Sequence, residues 1–320
     1  MVQLTPEYLS SLNPFTYIGI TAATYIAYKF TRQATLFLLP SKLQRYNSTG
    51  EIKNWALVTG ATDGIGFGFA QELCARGFNV LLHGRNREKL ERRAQELAAE
   101  FPERKTALVV LDAEGVTGVV DAVANQVRDV LAQNGGGFLS VLVNNVGGET
   151  KPFRTIDRLS FDDVKATLDK NVLFTVQITR VLLPLLMEGS GLVLNVSSHS
   201  SLGMPYISVY SSSKGFLDTF TYALAAECAA EERNVEVLGL RVGSVRTAGY
   251  DIETSLFVPV GRTLASSALN RVGCGRLIVF AYFWHWVQGM AFDVLPRSAL
   301  DSITSRVMKQ LKKKHEEKTK

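Results

Sequence analysis

Groups that bind metals or staple a chain covalently are scarce in this sequence, which has three cysteines and four histidines among 320 residues. Cys74, Cys228 and Cys274 are scattered, lack metal-ligand spacing and cannot all pair. That argues against a disulfide framework or a metal site and for a reducing compartment with ordinary buried thiols. Clusters of basic residues interleaved with aromatics are missing too, and a net charge of +5 is mild. Nucleic acid is therefore not the expected partner, and the excess suits anionic cofactors or a membrane surface. No small-residue cleavage site follows a basic start, so the apolar amino-terminal stretch is not a signal peptide. Internal repeats are absent, and the lysine-rich end is the one low-complexity segment.

Between Lys53 and Arg241, short β-branched runs alternate with longer helical ones, the pattern of βαβ units and a parallel sheet. Strands are expected at Trp55–Thr59, Asn79–His83, Thr106–Leu111, Ser140–Val143, Gly191–Val196 and Val235–Arg241. Helices are expected at Phe67–Arg76, Arg87–Phe101, Thr117–Gln133, Phe161–Glu188 and Phe216–Arg233, each with apolar residues three and four apart. The fold class is α/β: a doubly wound parallel sheet of the Rossmann type, with its ligand crevice at the carboxyl ends of the strands.

The first strand runs into Thr59-Gly60-Ala61-Thr62-Asp63-Gly64-Ile65-Gly66. A glycine turn that opens a helix gathers backbone N–H groups at the positive helix end, which suits a pyrophosphate. At the end of the second strand stand Gly84 and Arg85, where an NAD enzyme carries a carboxylate. Arg85 suits a 2′-phosphate and hence NADP(H); the plain reading is a solvated arginine at a helix start. Asp112 either accepts from the adenine amino group or caps a helix. In Asn144-Asn145-Val146-Gly147 the amides can hold adjacent backbone together, and Asn145 can bond the cofactor ribose. Asn171 sits inside a helical stretch where asparagine is a poor helix former, either as a satisfied amide or at a bend that holds a water.

Ser197-Ser198 ends the fifth strand, and Tyr210-x-x-x-Lys214 opens the next helix. Positions four apart share a helix face, so phenol and ammonium point into one crevice. The ammonium is expected to lower the phenol pKa and make Tyr210 a proton donor near neutrality.

Taken together, the glycine turn, Asn144-Asn145-Val146-Gly147, Asn171, the serine pair and Tyr210-x-x-x-Lys214 resemble a short-chain dehydrogenase/reductase over residues 52 to 250. The resemblance implies Tyr210 as catalytic acid and Lys214 as ribose ligand and pKa modifier. It also implies a strand-end serine as carbonyl orienter and Asn171 as anchor of a proton-relay water. Counting along the strand selects Ser198, whereas the family's serine-to-tyrosine gap selects Ser197; Ser198 is taken. Gly243-Ser244-Val245-Arg246-Thr247 resembles the family's segment at the nicotinamide carboxamide, with the Val245 backbone and Thr247 hydroxyl as contacts and Val242 where proline is usual.

Residues 14 to 39 are apolar apart from Lys29, Arg32 and Gln33, which makes them a membrane-anchor candidate. The basic residues that follow would place the rest on the cytosolic side. A second apolar run, Leu277 to Val287, reads as an interfacial helix or a cap over the active site, with His285 an interfacial ring. We divide the chain into an anchor and linker (1–50), a catalytic domain binding NADP (51–250) and a substrate-side, membrane-associated extension with a basic tail (251–320). An anchor before this catalytic set resembles the membrane-bound branch containing very-long-chain 3-oxoacyl-CoA reductases and 17β-hydroxysteroid dehydrogenases. That implies reduction of a ketone on a lipid-like substrate at the endoplasmic reticulum, with Arg262, Arg271 or Arg276 meeting a coenzyme A phosphate. A homodimer through the long middle helices is open.

Overall fold

A computed structural model describes residues 13–115 and 120–318. The chain divides into two compact units, Met1–Pro40 and Ser41–Lys320. In the first, helix α1 (Pro14–Thr35) starts where Asn13 accepts from the Thr16 N–H at 2.9 Å and Pro14 fills the first position, whose N–H needs no partner. The helix buries no residue. Among the described residues no helix is long and apolar enough to cross a membrane. The segment expected as an anchor is thus a helix, in which threonine, glycine and tyrosine dilute the hydropathy and Lys29 and Arg32 interrupt the apolar run.

The second unit is a seven-stranded parallel sheet in the order β3-β2-β1-β4-β5-β6-β7. Its first six strands are β1 (Trp55–Val58), β2 (Asn79–Gly84), β3 (Thr106–Val110), β4 (Leu139–Asn144), β5 (Gly191–Ser198) and β6 (Val235–Val242). Every residue of β1, β2 and β4 is buried, as expected of strands covered by helices on both faces. The helices between them are α2 (Gly64–Ala75), α3 (Arg87–Glu100), α4 (Asp121–Gln133), α5 (Phe161–Leu168), α6 (Phe174–Leu186) and α7 (Ser208–Ala230). Thr117, the expected start of the fourth crossover helix, lies outside the described residues. The order reverses between β1 and β4, which opens the crevice at their carboxyl ends.

Two departures from the sequence expectation shape the site. The long helix expected at Phe161–Glu188 is interrupted by a π-turn at Asp169–Leu173, where one helical turn holds an extra residue. Further on, the run expected at a membrane or over the active site instead supplies β7 (Ile278–Phe280), which pairs with β6 through Gly239 to Arg241. After helix α8 (Gly261–Leu269) and β7 come α9 (Phe283–Val294) and α10 (Arg297–Lys318). A three-residue edge strand followed at once by a helix is too short for its period to show in the sequence.

Candidate active site

The turn after β1 is built for backbone to be approached closely. Gly60 and Gly64 adopt φ of +67° and +55°, the left-handed region that favours glycine. A side chain on Gly66 would run into the Gly60 carbonyl and the Asn145 amide. Thr59 and Asn145 tie this turn to the end of β4: the Thr59 hydroxyl accepts from the N–H groups of Asn145 and Val146 at 2.9 and 3.0 Å, and Asn145 Nδ2 donates to the Thr59 carbonyl at 2.9 Å. Below it a buried polar row crosses the sheet, with Asn144 Nδ2 donating to Thr179 and Asn195, and Asn195 Nδ2 to Thr221, each at 2.9 Å. Asp63 precedes α2 without capping it, because its carboxylate accepts from the Ala248 N–H at 2.7 Å.

A cavity of about 320 Å³ lies over this turn. Gly60, Asp63, Gly64 and Ile65 line one end, Asn145 and Gly147 the side, Ser198, Tyr210 and Lys214 the other end, and Val242, Gly243 and Thr247 the roof. Glycine-lined backbone at a helix start, continuous with a polar pocket ending in a phenol, fits a dinucleotide. Thr62 lies on the flank, its carbonyl accepting from Arg93 Nε at 3.0 Å. Arg85 is outside the cavity lining, largely exposed and 3.9 Å from Glu114. Asp112 neither lines the cavity nor starts α4; it closes a local turn, accepting from the Glu114 N–H at 3.0 Å. Val245 is buried beneath the roof, and the Thr247 side chain faces Gly64.

At the reacting end, Ser198 closes β5 opposite Val242 and Tyr210 lies on the first turn of α7. Ser198 stands beside Tyr210 and accepts from Ser200, whereas the buried Ser197 donates to the Lys214 carbonyl at 3.1 Å. Ser197 and Ser198 both line the cavity. Lys214 is buried, its Nζ donating to the Val196 carbonyl at 2.7 Å and lying 5.7 Å from the Tyr210 ring centroid. Burial pulls its pKa down to about 8, with the nearby Asp218 carboxylate opposing the drop. Asp218 is itself held by two hydrogen bonds from Arg241, at 3.0 and 2.9 Å.

The phenol does not follow the expectation of a lowered pKa. Burial raises the Tyr210 value, the Ser198 hydrogen bond works against that rise, and the Glu149 carboxylate adds to it. Tyr210 is accordingly loaded with its proton at neutral pH. Asn171, on the π-turn, is fully buried and accepts from the Gly148 N–H at 2.8 Å. Its Nδ2 donates to the Gly148 carbonyl at 3.1 Å and to Ser213 at 3.0 Å, and Ser213 donates to the Tyr210 carbonyl at 2.7 Å. The amide thus links the β4 loop to the first turn of α7.

His285 is the residue whose place the sequence reading missed. It is fully buried, not interfacial. Its Nδ1 accepts from the Gly243 N–H at 3.0 Å, and its Nε2 donates to the Ser244 carbonyl at 3.1 Å, which latches the cavity roof to α9. Burial holds its pKa at about 4. Two of the cations expected to meet coenzyme A are paired or buried. Arg262 donates to Glu72 and Glu100 at 2.9 and 2.6 Å, and Arg271 is buried. Arg276 is half-buried and is absent from the cavity lining. On α10, Lys312 covers the Tyr206 ring and the His315 ring meets Phe153.

A family model described as short chain dehydrogenase matches residues 54–253. The chain belongs to that family. It is 33% identical to the very-long-chain 3-oxoacyl-CoA reductase of Anas platyrhynchos over 277 residues, covering 82% of this chain and 84% of the relative. Among solved structures, L-sorbose reductase from Gluconobacter frateurii, complexed with NADPH and L-sorbose, is 25% identical, with a TM-score of 0.55 over 61% of this chain and 71% of that one. A 7beta-hydroxysteroid dehydrogenase superposes with a TM-score of 0.66 at 21% identity, covering 83% and 98%, which shows the shared fold. This oxidoreductase family and its neighbours support a nicotinamide cofactor.

Proposed function

We propose that the protein reduces a 3-oxoacyl-CoA to the 3-hydroxyacyl-CoA in the elongation of very long fatty acids, using NADPH. The observation that carries the reading is Tyr210, loaded with its proton, lining one cavity with Ser198, Lys214 and the glycine turn. The very-long-chain reductase relatives support the choice of ketone. When bound, NADPH supplies the hydride that reduces the carbonyl carbon. Ser198 orients the ketone oxygen through its hydroxyl, and Tyr210 gives that oxygen its phenolic proton, a step that in such sites accelerates reaction about 10²–10⁴-fold. Lys214 holds the ribose, and its charge steadies the phenolate that Tyr210 leaves behind. Asn171 fixes the turn that carries both and anchors the water through which the proton is replaced.

Gly60, Thr62, Asp63, Gly64, Ile65 and Gly66 form the pyrophosphate cradle, and Asn145, Val245 and Thr247 complete the cofactor contacts. In this reading Arg85, exposed at the end of β2, turns toward the 2′-phosphate, and Asp112 toward the adenine. The exposed aromatic and aliphatic residues of α1, among them Phe15, Ile18 and Tyr25, support association with the cytosolic face of the endoplasmic reticulum membrane.

NADPH oxidation with a long-chain 3-oxoacyl-CoA, compared with a 17-ketosteroid, tests the reading. Turnover of the acyl-CoA, lost in Tyr210→Phe with NADPH still bound, is the expected result. Turnover of the steroid alone would move the protein to hydroxysteroid chemistry.

A further inference from the structure

An acid stands in the pyrophosphate cradle, although the ligand that suits the cradle is itself anionic. Asp63 lines the cavity and holds the position before α2 that a capping side chain ordinarily fills. An aspartate there usually accepts from the N–H groups of the second or third helical residue. A carboxylate in that role would take the donors that a pyrophosphate needs, and its charge would repel the phosphates.

Asp63 makes no such cap, because both of its oxygens are drawn elsewhere. Oδ2 accepts from the Ala248 N–H at 2.7 Å, and Oδ1 lies 3.7 Å from Nη2 of Arg93, on α3. The Ala248 N–H engages one oxygen alone, and a carboxylate can bond two groups; it is the guanidinium that claims the second. Arg93 is in turn fixed from several sides. Its Nε donates to the Thr62 carbonyl at 3.0 Å and its Nη1 to Glu96 at 2.6 Å, while the guanidinium lies 4.3 Å from the centroid of the Phe67 ring in α2. The Arg93 side chain is only 20% exposed, so salt screens its charge less than that of a surface cation.

We propose that Arg93 is a positioning residue for the dinucleotide: it turns the Asp63 carboxylate away from the start of α2 and balances its charge, which leaves the helix N–H groups to the pyrophosphate. Without the guanidinium, Asp63 swings onto those N–H groups as an internal anion that competes with the cofactor. Arg93 touches no reacting atom, and its role rests on the reading of the cavity as a dinucleotide site.

The test is equilibrium binding of NADPH to the full chain, followed by nucleotide fluorescence with no substrate present. Arg93→Gln keeps an N–H donor for the Thr62 carbonyl but no charge, and is expected to raise the Kd about tenfold. Arg93→Met, which fills the space over Phe67 with neither donor nor charge, repeats that comparison with different packing. Arg93→Lys keeps the charge and is expected to stay within about threefold of the wild type. The deciding measurement is the Arg93→Gln penalty in the Asp63→Asn background, where the amide oxygen still accepts from the Ala248 N–H but the competing charge is gone. There the penalty is expected to shrink to about twofold or less. A merely structural Arg93 would lower the melting temperature and carry the same Kd penalty in both backgrounds, and equal penalties overturn the proposal. Wild-type affinity in Arg93→Gln overturns it as well, since the charge would then contribute nothing. Absence of NADPH binding in the wild type would instead sink the dinucleotide reading of the cavity, and the role of Arg93 with it.

Discussion

The two walls of the cofactor cavity are held in different ways. On the β1–α2 side, position is set by backbone: left-handed glycines, an uncapped helix start, and strand ends stitched together by Thr59 and Asn145. On the roof, Gly243, Ser244 and Ala248 are held by side chains arriving from elsewhere, His285 from α9 and Asp63 from the start of α2. The first wall is closely approached backbone and tolerates no side chain added at Gly66. The second is made from residues about 40 and 185 positions away in sequence, and it depends on single hydrogen bonds.

That contrast can be broken most forcefully at Gly66. A Gly66→Val substitution, which drives a branched side chain into the Gly60 carbonyl, is expected to abolish NADPH binding and to cost about 3 kcal/mol or more. Fluorescence titration and urea unfolding check both. On the roof, His285→Ala removes two hydrogen bonds and a buried ring, for an expected loss of about 2–4 kcal/mol. Here the KM for NADPH should rise while binding persists, because the glycine wall is untouched; complete loss of binding would erase the distinction.

Acid should loosen the second wall first. The pKa of His285 is depressed in the folded chain, from 6.5 to about 4. Between those values the unfolded chain binds a proton that the folded chain refuses, so stability is whole above pH 6.5 and declines as pH falls toward 4. His83 and His199, also buried and depressed, to about 4 and about 3, act in the same direction. Glu149 works oppositely, its raised value favouring the folded state at low pH and losing that advantage as pH rises from 4.5 to about 7. Melting temperatures from pH 7 to pH 4.5 should therefore fall in the wild type and fall less in His285→Gln. The smallest effect is expected at Arg262→Ala, which cuts partly exposed ion pairs worth under about 1 kcal/mol and should leave the KM for acyl-CoA unchanged.

The same division explains what could be read from the sequence. The glycine turn, β1 to β6, and Tyr210 with Lys214 depend on local period and spacing, so residues a few positions apart announce them. The π-turn was legible only as an asparagine out of place, since an extra residue in one turn barely disturbs the apolar period of the flanking helices. The tertiary partners of His285 and Arg262, and the burial of Glu149, had no local signal. An aromatic run containing β7 and α9 reads the same whether it meets lipid or the edge of a sheet. The phenol pKa went the other way because it depends on which neighbours win, and the sequence displays Lys214 but not burial or the Glu149 carboxylate.

The π-turn also bears on how this chain could change over time. One residue fewer within Asp169–Leu173 would let α5 and α6 run on as a regular helix, with both flanking segments keeping their seats on the sheet. The amide at 171 would then swing by about 100° around the axis, away from Gly148 and Ser213. Folding and chemistry are thus separable by a single codon. A one-position gap here between two otherwise alike chains would mark an altered activity within an unaltered scaffold.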